Sequence, residues 1–160
     1  MAATGPVFLG AALAVGWTVA EIISASLNSS RIGERLVRAA PLCVAAALSL
    51  AAVTQERDAP WKVVGLWAIA LCIAGCGVAM AWPHLSAWLM RAVDEPLEGG
   101  AAAPAITTVR LISGAFGAGL AGVVVNLTTG GELAAARWLF LGFAVLTAIG
   151  MIGSFRTAGR

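Results

Sequence analysis

Few residues in this chain could do chemistry, and one carboxylate stands out among them. Glu21 lies in an apolar run, and Thr18, Ser24, Ala25 and Asn28 share its helical face at three-, four- and seven-residue spacing. Counted from Val7, it sits about 21 Å along a helix that rises 1.5 Å per residue. A carboxylate at that depth marks a proton or cation pathway, and its polar stripe is expected to face a bundle or a water-filled cavity. The alternative is a carboxylate tied to a neighbouring hydroxyl or arginine, or wetted near a helix end. Arg110 is the other charge set within an apolar run. It either pairs with a carboxylate of another helix or snorkels to the headgroups.

The remaining candidates point to structure. His84 is the sole histidine, follows Pro83, and has no second imidazole or thiolate at metal-binding spacing, so a packed, hydrogen-bonded ring is expected. Cys72 and Cys76 lie four apart on one helical face beside Gly75 and Gly77, where small packing residues are the expected role. Gly114, Gly117, Gly119 and Gly122 fall in mid-helix with Ser113, Ala115, Ala118 and Ala121. No strand precedes them and no Gly-Lys-Ser follows, so they form no phosphate loop. Their expected role is helix packing or sliding in lipid. One histidine, one intramembrane glutamate and no nucleophile–base dyad argue against an enzyme, and no metal or cofactor is expected.

The elements that must hold these residues follow from composition. Of the 160 residues only 11% are charged while 60% are hydrophobic, with a mean hydropathy of +0.92. A soluble domain carries about a quarter charged residues, so the solvent here is lipid. Each span of a bilayer needs roughly 20 apolar residues, and the chain supplies five such runs without the alternation of a barrel strand. The prediction is an all-α membrane protein: one domain, a polytopic bundle of five transmembrane helices at 7–28, 39–53, 61–93, 102–127 and 133–155. Pro6, Pro41, Pro60 and Pro104 are placed at or before helix starts, where a missing N–H costs little. Pro83 alone is expected inside a helix, as a bend or hinge.

Basic residues set the expected orientation. Arg31, Arg35, Arg38, Arg91, Arg110, Arg156 and Arg160 gather on one side, against Arg57, Lys62 and Arg137 on the other. The richer side is read as cytoplasmic, with the N-terminus outside and the C-terminus inside. Trp61 and Trp138 then mark the outer interface. An external N-terminus without a signal, and an odd number of spans, lead to the expectation that an upstream helix belongs to the functional unit. A net charge of +2 gives no reason to expect nucleic acid.

Three stretches resemble the major facilitator superfamily, and within it the proton-coupled multidrug efflux members. Ser30-Arg31-Ile32-Gly33-Glu34-Arg35 is similar to that family's short cytoplasmic loop, Asp-Arg-x-Gly-Arg-Arg, with Ser30 in place of the Asp and Glu34 in place of an Arg. Gly75-Cys76-Gly77 and the later Pro83 resemble a Gly-x-Gly helix. The stretch from Asp94 through Arg110 to Gly122 is similar to the antiporter helix, without its Gly-Pro pair. The resemblance implies most of the C-terminal half of a twelve-helix transporter, or the last five helices of a fourteen-helix one. It makes Glu21 a proton-coupling candidate and Arg110, Arg31 and Asp94 gating or charge-relay residues. It also implies a bacterial plasma membrane, a small amphipathic solute or drug as cargo, and the missing remainder of a transporter as partner. The alternative is a five-helix accessory or assembly protein that docks through its Gly-rich fourth helix.

Overall fold

The computed structural model describes residues 4–27, 29–91 and 96–157. Five helices account for nearly all of them: α1 (Thr4–Ala25), α2 (Ser30–Val53), α3 (Trp61–Arg91), α4 (Pro96–Leu127) and α5 (Gly131–Thr157). Each contains a stretch long and apolar enough to cross a membrane, and there is no strand among the described residues. The protein is an all-α integral membrane protein.

The distribution of side chains is that of a protein solvated by lipid. Its buried core is largely alanine, including Ala20, Ala40, Ala47, Ala51, Ala70 and Ala79, while Val15, Ile22, Ile69, Val109, Leu111 and Phe116 point outward. In hydrocarbon no hydrophobic effect drives large side chains inward, and small residues allow close helix contact.

Two helix starts differ from the sequence expectation. α2 begins at Ser30 instead of residue 39, so Arg31, Arg35 and Arg38 ride on its first turns rather than in a loop. α4 begins at Pro96 instead of residue 102. Pro41 and Pro104 therefore join Pro83 inside helices. Membrane helices tolerate interior proline because side chains and neighbours re-satisfy the backbone. Around Pro104, Thr107 and Thr108 donate to the carbonyls of Ala103 and Pro104 at 3.1 and 2.9 Å. The other bounds shift by a few residues. α1 ends at Ala25 rather than residue 28, and α5 spans Gly131–Thr157 rather than 133–155. The turn before α5 is opened by Gly131, whose φ of 77° suits glycine.

α3 is the centre. It packs against α1 on one flank and α2 on the other, and α2 in turn packs on α5. α1 and α3 run in the same direction: Leu13 of α1 meets Gly75, and Ser24 meets Met80. α2 runs against α3, with Gly77 beside Ala40 and Val44. At the α2–α3 turn, Arg137 of α5 donates to the Gln55 carbonyl at 2.6 Å, and the Trp67 indole donates to Thr54 Oγ1 at 3.1 Å. α4 differs from the rest: it touches α3 and α5 lightly, and none of residues 101–127 is buried.

Candidate functional site

The site begins with a close crossing of α1 and α3. Gly16, Ala20 and Ser24 recur every four residues and are all buried. A Cβ on Gly16 would run into the Cys72 carbonyl, and one on Gly75 into the Leu13 carbonyl. The Cys76 thiol donates to the Gly16 carbonyl at 3.3 Å, so Cys76 packs at the crossing as expected. This small-residue ridge brings backbones into contact and sets the polar groups of α1 against α3.

The polar stripe expected around Glu21 is divided by that geometry. Ser24 faces inward at 1% exposure. Thr18 and Ala25 are exposed, and Thr18 bonds back to the Ala14 carbonyl at 3.0 Å. Asn28 lies outside the described residues. The inward face is fixed by the smallest side chains rather than by the most polar ones.

Glu21 is half-buried, and the indole N–H of Trp17, one turn earlier, donates to its Oε2 at 2.7 Å. The Arg110 guanidinium carbon lies 5.3 Å from the Trp17 ring centroid and 5.1 Å from that of Trp82 on α3. Both distances are those of a cation–π contact. Arg110, expected either to pair with a carboxylate or to snorkel, rests on two indoles, and one of them donates to the Glu21 carboxylate. Three helices meet through four side chains.

Trp17 and Trp82 were not singled out by sequence reasoning. A signal did exist. An indole set inside an apolar run needs an acceptor for its N–H, and Glu21 stands four residues from Trp17, on the same face.

Closer to the end of α1, the Ser24 hydroxyl donates to the Met80 carbonyl at 2.7 Å and lies 3.1 Å from His84 Nε2. A hydroxyl whose proton is committed accepts, which assigns the ring proton to Nε2. On its other side the ring abuts Gly33, where an added Cβ would lie 2.8 Å from Nδ1. His84 is therefore a packed, hydrogen-bonded residue, and it clamps α1 and the start of α2 to α3. Pro83 and His84 line a cavity of about 390 Å³ together with Ser24, Ser29, Ala87 and Arg91.

The other candidate residues lie apart from this cluster. Arg31 is exposed on the first turn of α2, and Asp94 falls outside the described residues. Gly114, Gly119 and Gly122 have open space where a Cβ would project; Gly117 has Phe143 Cε1 at 3.9 Å. Among the described residues, α5 reaches this small-residue stretch of α4 at Gly117, and the three other glycines are left open. Among the described residues no three His, Cys, Asp or Glu side chains converge as a metal site would require.

Comparison with known proteins adds two relatives. Over 153 residues, 96% of its length, the chain is 59% identical to a "probable multidrug-efflux transporter" of Mycobacterium tuberculosis strain CDC 1551 / Oshkosh, and equally to one of strain ATCC 25618 / H37Rv. The matched region is 32% of each relative, so the chain spans about a third of their length. No protein-family model matches the chain, and no solved structure does.

Proposed function

We propose that this chain works as part of a secondary transporter, a proton-coupled exporter of small amphipathic solutes. The observation that carries this reading is the pairing of 59% identity to two proteins named as probable multidrug-efflux transporters with a half-buried carboxylate inside an apolar helix long enough to cross a membrane. Export against a gradient needs a group that alternates between charged and neutral inside the membrane, and Glu21 is placed to be that group. Arg110 supplies a fixed positive charge over the indole that bonds it, and Arg31 and Asp94 are proposed as charge-relay residues at the arginine-rich end. That end is proposed to be cytoplasmic in a bacterial plasma membrane, with the N-terminus outside. The open small-residue stretch of α4, from Gly114 to Gly122, is proposed to meet further transmembrane helices of the functional unit, against which it slides as access alternates. Pro83 is proposed as the hinge of α3.

The test is export by the assembled transporter. Glu21→Gln is expected to abolish the dependence of drug export on an imposed pH gradient while the protein still reaches the membrane. Unchanged pH-driven export in that variant removes Glu21 from the coupling step.

The exposure of α4 also favours a second reading, an accessory subunit that docks on an unrelated membrane protein through that helix. A stoichiometric complex with a non-transporter after mild detergent extraction would support it. Co-purification with transporter helices would remove it.

A further inference from the structure

We propose that Trp17 is a positioning residue that passes the charge state of Glu21 to Arg110, and so sets whether α4 is held against α1 and α3. The inference rests on the reading of Glu21 as a proton carrier but concerns a different step, the mechanical output.

Three observations converge on it. The Trp17 indole uses its edge and its face at once, donating N–H to Glu21 Oε2 at 2.7 Å while its ring lies 5.3 Å from the Arg110 guanidinium. The second ring, Trp82, closes on the same guanidinium from α3 at 5.1 Å. α4 has little else to hold it there, because none of its residues 101–127 is buried and Gly114, Gly119 and Gly122 meet nothing.

The physics of a shared indole makes these contacts cooperative. An anion accepting the N–H pushes electron density onto the ring and strengthens its hold on a cation, as hydrogen-bonded groups polarise one another. It also fixes the ring plane, through a charge-assisted bond stronger than a neutral one. Protonation of Glu21 leaves only a neutral acceptor for the N–H, so the bond weakens and the ring loses its added negative face and part of its fixed orientation. Arg110 then loosens from Trp17, and α4 with it. The titratable and charged groups that meet this part of α1 are Cys72 and Cys76 of α3 at Gly16, His84 of α3 at Ser24, Arg91 of α3 in the cavity beside Ser24, and Arg110 of α4 over the Trp17 ring. The imidazole of His84 is packed on Ser24, so Glu21→Gln is needed to tell a Glu21 response from any other.

The experiment measures the distance between α1 and α4 in the full chain in lipid nanodiscs. Spin labels are placed at Val15 and Leu111, both exposed, with Cys43, Cys72 and Cys76 replaced by alanine. Distances are recorded stepwise from about pH 8 to about pH 3.5, a span that crosses the usual carboxylate range. The close population is expected to fall about two- to fivefold on acidification, the effect of one lost cation–π contact. Glu21→Gln is expected to show the acid distribution at every pH. Trp17→Phe, which keeps a ring but loses the N–H, is expected to show no pH response.

A wild-type pH profile in Trp17→Phe overturns the proposal, as does a pH response that survives in Glu21→Gln, which would belong to His84 or another group. If Trp17→Phe loses its helical circular-dichroism signal, Arg110→Gln takes its place, and a pH-dependent distance in that variant is equally fatal. The distance readout needs no transport. Failure of pH-driven export to depend on Glu21 would therefore remove the coupling reading while leaving the Trp17 link intact.

Discussion

At the residue scale, glycine marks where the helices truly meet. Gly16 and Gly75 lie against backbone carbonyls, whereas Gly119 faces open space. Gly16→Leu is expected to separate α1 from α3 and cost about 1–3 kcal/mol, the usual range for overpacking. Gly119→Leu is expected to leave the isolated chain unchanged. Resistance to unfolding by sodium dodecyl sulfate checks both. Gly33→Ala puts a Cβ against the His84 ring, so its expected effect is displacement of that imidazole, read as a shift in its NMR resonances. Glu21 was legible from sequence because a lone carboxylate in an apolar run is costly and so conspicuous. Trp17 and Trp82 were not, since six tryptophans in a membrane protein suggest interfacial anchors before they suggest partners for a buried charge. Ser24 was placed on the right helix, but its contacts with Met80 and His84 join residues 56 and 60 positions apart, a pairing that no local pattern encodes.

At the element scale, the five helices follow from hydropathy, while their starts do not. Proline preferences learned at helix N-termini placed the start of α2 near Pro41 and that of α4 near Pro104, yet both residues lie inside helices. In lipid the backbone has no water to turn to, so a helix continues through proline where a soluble one would end. Pro41→Ala is accordingly expected to leave α2 intact, with helix content by circular dichroism unchanged and resistance to unfolding equal or greater. A loss of helix content would show that α2 begins at Pro41 after all. α4 carries the densest run of small residues, and sequence alone assigned it to packing. Among the described residues the buried small-residue ridge is Gly16, Ala20 and Ser24 on α1, with Gly75 of α3 opposite and Gly77 turned to α2. Spacing identifies a surface suited to close contact; it does not say which partner fills it.

At the scale of the whole molecule, the alternation of α1, α2 and α3 and the ties between α2 and α5 give a bundle with one loosely attached member. The proposed proton coupling would act on that member through Glu21, Trp17 and Arg110. The account depends on the chain crossing the bilayer five times, because only then does Glu21 lie within the bilayer with the arginine-rich turns on one side. The most direct measurement labels small tags at the two ends of the chain, in intact cells and again after permeabilisation. The N-terminal tag is predicted to react in intact cells and the C-terminal tag only after permeabilisation. Labelling of both tags from the same face would contradict five crossings, and with them the placement of Glu21.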